Sequence, residues 1–301
     1  MDIPNTFNEA LDFIRDKVAI PSGEWDEAAW NEDRESINTR AFWSANVENV
    51  RFLNRAKESI SDALENNVET IIDSEGNQKV ALKSGGRSGF IKSMREMMIK
   101  EGMIDTSDSF YWIDNNDVKE IKSEKRLELI YDTNMRLAYG YGQWKQGMSP
   151  NVIKVFPAWK FVRLRQVRED RPRHKASEGE VRLKTDTDYW ANYQNDPSIG
   201  GFGVPWAPFG FNSGMNITDV SRSEAKALGL IKDSDKINKE DIPKKQLNEG
   251  LKSHIGNMDS DMKKKLIEEL TKKRERTSSS EAGLRAALKV REANGFIELV
   301  R

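Results

Sequence analysis

The spacing of apolar positions changes along this chain of 301 residues, and each change predicts an element. Phe7, Ala10, Leu11, Ile14 and Val18 recur at helical intervals. Thr6 and Glu9 stand at the spacing of a capping box, and Pro21 and Gly23 stop the helix. Residues 31–66 contain neither proline nor glycine. There Ile37, Ala41, Val50, Leu53, Ala56, Ile60 and Leu64 keep near-heptad spacing. The pattern predicts a long helix, about 50 Å at 1.5 Å per residue if unbroken, which suits a helical hairpin or an arm packed along a neighbour. Residues 67–89 alternate weakly around Asp73-Ser-Glu-Gly-Asn77 and predict a hairpin or loop. Lys83-Ser-Gly-Gly-Arg-Ser-Gly89 supplies a hinge without the Gly-Lys-Ser/Thr ending of a phosphate loop. A helix over 88–100 follows, with Phe90, Ile91, Met94, Met97 and Met98 inside.

The central stretch mixes periods. Ser123 is a good N-cap for a helix whose apolar stripe is Leu127, Ile130, Asn134, Ala138 and Tyr141. Asn134 needs a hydrogen-bond partner if that stripe is buried. Gly140, Gly142 and Gly147 are expected to weaken the helix end. Residues 152–165 alternate well enough for a strand pair, with Trp159-Lys-Phe-Val162 as the apolar strand. A charged turn, Glu169-Asp-Arg-Pro-Arg-His174, and a polar hairpin lead to Asp186-Thr-Asp-Tyr-Trp190. Residues 197–216, crowded with Gly, Pro and aromatic residues (Phe202, Trp206, Phe209, Phe211), predict a long irregular loop. Ile217–Ser221 predicts a last strand, with Ser221 capping a short helix that ends at Gly229. After Lys232 aromatic residues thin out and Lys and Glu dominate; 259–276 and 280–294 carry helical patterns. The sum is an α+β chain: a mostly helical region with long helices over 1–120, a small mixed domain with a short antiparallel sheet over 121–232, and a charged helical tail over 233–301.

Composition narrows the chemistry. Hydrophobic residues make up 37% and charged residues 32%, so a core is affordable but much surface is polar. The formal net charge of -1 removes any whole-molecule attraction to DNA and leaves only local patches. Without cysteine, disulfides, thiolate metal sites and a cysteine nucleophile are excluded. Two histidines, His174 and His254, make a multi-histidine metal site improbable, and no cofactor is expected. No apolar run approaches the roughly 20 residues that span a bilayer, and the first residues lack the pattern of a signal peptide, so no membrane partner is expected.

Three clusters could carry function. His174 either forms a hub with Asp170 or Asp188 that holds its loop against Asn134, or lies partly exposed on a charged hairpin. Arg163, Arg165, Arg168, Arg171, Arg173 and Lys175 either meet DNA phosphates or an acidic protein surface, or form a solvated rim balanced by Glu169, Asp170 and Glu178. Glu178-Gly-Glu180 matches the Glu-x-Glu pair of ADP-ribosyltransferases, although no Ser-Thr-Ser strand precedes it. A basic stripe at Lys263-Lys-Lys265 and Lys272-Lys-Arg-Glu-Arg276 marks the tail, and eight tryptophans are many for so polar a chain.

Five motifs in one order resemble the Mu F-like minor head proteins, a family of phage head morphogenesis proteins. Ile20-Pro-Ser-Gly-Glu-Trp25 and Arg40-Ala-Phe42 resemble the family's N-terminal turn and helix. Asp132, Asn134, Arg136, Ala138 and Tyr139 resemble its Asn-x-x-x-Ala-Tyr helix. Arg171-Pro-Arg-His174 resembles its Arg-x-x-His turn, and Asp186, Asp188 and Trp190 its Asp-Asp-Pro-Phe-Trp segment. The resemblance covers about residues 5–230. It departs at Phe209-Gly-Phe-Asn-Ser-Gly-Met215, where many members carry an aromatic-Gly-Cys-x-Cys segment. The resemblance implies a non-enzymatic minor capsid component. Such a protein associates with portal and with capsid or scaffold proteins, with double-stranded DNA as a further contact, and resides in the virion after assembly in the host bacterial cytoplasm. The candidate structural hub is Asn134, Asp170, Arg171, His174, Asp186, Asp188 and Trp190, and the candidate DNA or portal contacts are Arg163, Arg165, Arg168, Arg173 and Lys175. The alternative is an ADP-ribosyltransferase-like enzyme or toxin delivered with the particle.

Overall fold

The computed structural model describes residues 6–20, 41–42, 44, 49–66, 68–72, 78–82, 86–104, 123–235, 252–254, 260–271, 289–293 and 296–300. The chain forms two compact units, Met1–Ala10 with Arg136–Gln246 and Leu11–Met135 with Leu247–Arg301. Both helices and small antiparallel sheets are present, as an α+β class requires.

Helix α1 (Thr6–Asp16), of which Leu11 onward belongs to the second unit, ends two residues before the expected Val18, because Val18–Ala19 is strand β1, paired in parallel with β2 (Ala41–Phe42). That pairing also breaks the single helix expected over 31–66. Its C-terminal part survives as α2 (Val50–Asn66). Asn49 starts α2: its side-chain oxygen accepts from the Phe52 N–H at 3.0 Å while its carbonyl accepts from Leu53. A capping asparagine thus overrode an apolar period that ran straight through it. On α2, Val50, Leu53, Ala56, Ile60 and Leu64 are all buried.

The expected hairpin forms between β3 (Val68–Ile72) and β4 (Gln78–Leu82). Helix α3 (Gly86–Lys100) begins inside the glycine-rich run and buries Phe90, Met94 and Met98 at intervals of four. Helix α4 (Glu124–Gly147) starts at Ser123, whose hydroxyl accepts from the Arg126 N–H at 3.1 Å. Its N-terminal half belongs to this unit, where Phe90 and Tyr131 pack with ring centroids 5.3 Å apart and Arg87 forks onto Asp132.

The tail differs from its all-helical expectation. Helix α8 (Ser260–Thr271) forms, but 289–293 is a strand that pairs with 296–300, which in turn pairs with 252–254. Val290 and the Phe296-Ile-Glu-Leu-Val300 run favour extended backbone over the helix read across 280–294. Arg51 of α2 pairs with Glu101 and with Asp261 of α8.

The first unit is built around a three-stranded antiparallel sheet in the order β6-β5-β7. Central strand β5 (Ala158–Arg163) pairs with β6 (Val181–Leu183) and β7 (Met215–Val220). Residues 150–155 are helix α5 rather than the first half of a strand pair. Pro150 sits at its first turn, where the missing N–H costs nothing. The turn at 169–174 opens helix α6 (Pro172–Ser177), again with proline at the first position. A π-helical segment over Asp188–Gln194 and a 3-10 turn over Pro197–Ile199 lead into the irregular loop. Helix α7 (Arg222–Ala227) is capped as expected, with the Ser221 hydroxyl accepting from the Glu224 N–H at 3.2 Å and Gly229 left-handed at φ 74°.

Gly140 and Gly142 lie inside α4, which runs on to Gly147. Gly140 lies against the Ala207 backbone so closely that a Cβ would stand 1.6 Å from the carbonyl oxygen. It permits an approach of loop to helix rather than a helix stop. Trp144 of α4 meets Trp206 of the loop at 4.9 Å between centroids, and Tyr141 meets Trp206 edge-on at 5.3 Å.

Candidate functional site

The motif residues of the first unit converge on the inner face of β5. Strand alternation sends Trp159 and Phe161 to one side, where both are buried. Trp190 packs edge-on to Trp159 at 5.7 Å, Phe209 edge-on to Phe161 at 4.9 Å, and His174 edge-on to Phe161 at 5.5 Å. Trp190 donates its indole N–H to the Leu183 carbonyl at 2.8 Å. Asp186 precedes it as a cap, accepting from the Tyr189 N–H at 3.1 Å.

His174 is 1% exposed and its Nε2 lies 2.8 Å from the Gln194 carbonyl. A carbonyl only accepts, so Nε2 carries the proton and donates. Burial pushes its pKa down to about 4, and the charges of Arg171, Arg163 and Arg173 add to that, while the bond to Gln194 opposes it. The ring is therefore neutral at pH 7 and serves as a fastener. Its bond runs to Gln194, not to Asp170 or Asp188.

The two flanking arginines work in the same way. Arg171 donates to the carbonyls of Phe209 at 2.7 Å, Phe211 at 2.8 Å and Gly200 at 3.4 Å. Arg173 donates to the Tyr193 carbonyl at 2.7 Å and to Asp196 at 3.0 Å, and its guanidinium lies over the Tyr193 ring. A planar fork with five donors suits such multi-carbonyl clamping. The Arg171-Pro-Arg-His174 turn thus ties β5's neighbour α6 to the π-helical segment and to the aromatic loop.

Other expected site residues are used locally. Arg163 pairs with Asp170 at 2.8 Å and with Glu178 at 3.0 Å. Asp188 is exposed and accepts from Asn192 at 2.9 Å. Glu180 accepts from the Tyr189 hydroxyl at 2.7 Å, and Arg182 lies over that tyrosine ring. Asn134, in the other unit, donates to the Ile130 carbonyl of its own helix at 2.9 Å. Arg165, Arg168 and Lys175 are exposed. Trp25, Trp30, Trp43, Trp112 and the motif residues of 21–40 lie outside the described residues; Trp144, Trp159, Trp190 and Trp206 are all buried.

Two residues that no sequence motif marks also hold the site together. Asn195 is fully buried. Its amide donates to the carbonyls of Val204 at 2.8 Å, Trp206 at 3.1 Å and Pro208 at 3.4 Å, and its oxygen accepts from the Phe202 N–H at 2.7 Å. Lys184 is 1% exposed, donates to the Gly147 carbonyl at 3.1 Å, and pairs with Asp219 at 2.6 Å. Asp219 also accepts from the Trp159 indole at 3.0 Å. Burial lowers the Lys184 pKa and Asp219 opposes the shift. The one available signal for Asn195 was its place at the entry of a Gly/Pro-rich loop, where asparagine commonly bonds backbone.

Among the described residues, no group of three histidines or carboxylates could hold a metal, and no helix is long and apolar enough to cross a membrane. The polar side chains of the site hold backbone carbonyls. No family model matches the chain, and no solved structure matches it. One curated protein does: "Putative capsid assembly protein F" of Escherichia phage Mu, 30% identical over 111 residues. The match covers 37% of this chain and about a fifth of that protein, 22% of its length. Over that stretch the chain is a distant relative of a phage protein named for capsid assembly.

Proposed function

We propose that this chain is a structural and assembly protein of a tailed-phage head, of the Mu F-like minor head kind, with residues 121–232 as its head morphogenesis domain. The similarity to the phage Mu protein carries the reading. The site geometry agrees with it. The side chains that chemistry would need are engaged inside the fold: His174 with a carbonyl, Glu178 with Arg163, Glu180 with Tyr189. In this role the Arg171–His174 bend, with Asp170, Asp186 and Trp190, holds the aromatic loop in one shape. The chain then recognises portal and capsid or scaffold proteins through its outer surface, with no bond made or broken. It is carried in the virion and assembles in the host cytoplasm, and packaged DNA is a further contact.

Immunodetection in purified procapsids and mature particles tests the proposal. The expected result is a discrete band in both, together with co-purification with portal protein. Absence from both kinds of particle refutes it.

A further inference from the structure

Beyond the end of β5, the arginines of the cluster divide by their surroundings. Arg163, Arg171 and Arg173 are spent on Asp170, Glu178, Asp196 and four backbone carbonyls. Arg165 and Arg168 stand exposed. The same two segments of the fold carry two large apolar side chains that stay in water, Leu164 at 70% and Phe211 at 42% exposure. Backbone bonds join the segments that carry them. The N–H groups of Leu164 and Arg165 both donate to the Gly214 carbonyl, at 3.0 and 3.2 Å, and Gly214 follows Phe211 by three residues through a turn closed by Ser213 N–H to the Gly210 carbonyl. The position of Phe211 is fixed on both sides. Its carbonyl is clamped by Arg171, and its ring meets buried Phe202 edge-on at 4.8 Å.

We infer that Leu164, Arg165, Arg168 and Phe211 form a docking site for an acidic segment of another head protein that carries an apolar side chain between its carboxylates. The inference rests on the head-assembly reading and names the kind of partner. Two exposed apolar groups beside two free cations are complementary to such a segment: the apolar pair gives affinity and the arginines give sign and encounter rate. A duplex backbone would use the arginines but leave Leu164 and Phe211 without a role, because phosphate contacts are polar. The single acid on this bend that is exposed, Glu169, leaves the patch net positive.

The test uses the full chain expressed during particle assembly, with two double variants, L164N/F211S and R165E/R168E, and the melting temperature of each as a check on folding. Its readout is the amount of chain in purified particles, beside binding to a 30-base-pair duplex across a salt series. The expected result is a loss of about fivefold or more in incorporation for both variants, with unchanged melting and no change in duplex affinity for L164N/F211S. Wild-type incorporation of both variants overturns the docking site while leaving the head-assembly reading intact. Loss with R165E/R168E alone, matched by lost duplex binding and a salt slope shallower by about 2, assigns the patch to DNA and also overturns it. If the wild-type chain itself is absent from particles, the head-assembly reading falls and this inference falls with it. A melting loss in L164N/F211S shifts the decision to L164N alone, whose side chain is mostly in water.

Discussion

Two buried asparagines, Asn134 and Asn195, show how differently one side chain can be used. Asn134 stands on the apolar stripe of α4 and turns back to the Ile130 carbonyl one turn earlier. That carbonyl already serves the helix ladder and lends a second lone pair, so the bond adds little. Asn195 stands where the π-helical segment gives way to the aromatic loop, and there four backbone groups have no regular-structure partner. A polar residue in a helix can satisfy itself, whereas in a loop it can be the reason the loop has a shape.

Breaking the stronger of the two should have the largest effect. Asn195→Ala strands three carbonyls and one N–H in the interior and should cost about 4 kcal/mol, close to the whole stability of a small unit. Urea unfolding of the variant beside wild type measures it; a loss below about 1 kcal/mol would show that water replaces the amide. Next comes Arg171→Met, which keeps bulk but removes the clamp on Gly200, Phe209 and Phe211, at about 2–3 kcal/mol. Its sharper signature is early hydrogen exchange across 200–211 while β5 amides stay protected.

The pH dependence of His174 is smaller and has a definite sign. Its folded pKa of about 4 lies below the ordinary 6.5, so the unfolded chain takes up the proton first. The contribution is fully present above about pH 6.5 and is lost as pH falls toward 4, with a slope of at most about 1.4 kcal/mol per pH unit. Comparing wild type with His174→Gln across that range isolates it, and parallel curves would refute it. The smallest effect is expected at Asn134→Leu, within about 0.5 kcal/mol of wild type, because the Ile130 carbonyl keeps its helical bond. A loss above 2 kcal/mol would restore Asn134 as a structural hub.

This contrast also explains what could be foreseen from residues alone. The period of α3, the Ser123 and Ser221 caps, the Trp159–Val162 strand and the 68–82 hairpin were all legible, because each depends on neighbours within a few positions. The break in the 31–66 helix was not, since β2 exists only by pairing with β1 more than 20 residues earlier. In the site, Trp190 and the Arg171–His174 bend stood out as motifs, but their partners did not. Charge alone pairs His174 with the carboxylates near it in sequence; the fold gives it a carbonyl instead. Carbonyls belong to every residue, so no side-chain pattern announces which one will be bonded. Lys184 was invisible for the same reason: its burial depends on Gly147 and Asp219, 37 residues before it and 35 after.

Gly140 constrains how this architecture can vary. Its bare Cα lets the Ala207 peptide rest directly on the helix, with space there for a hydrogen and nothing larger. Any chain that keeps the loop at this depth must therefore keep a residue without a side chain at this point. Alanine there would force the peptide outward and carry Trp206 away from Trp144, so the identity of one backbone-only position reports whether the aromatic lid of the helix is seated or lifted.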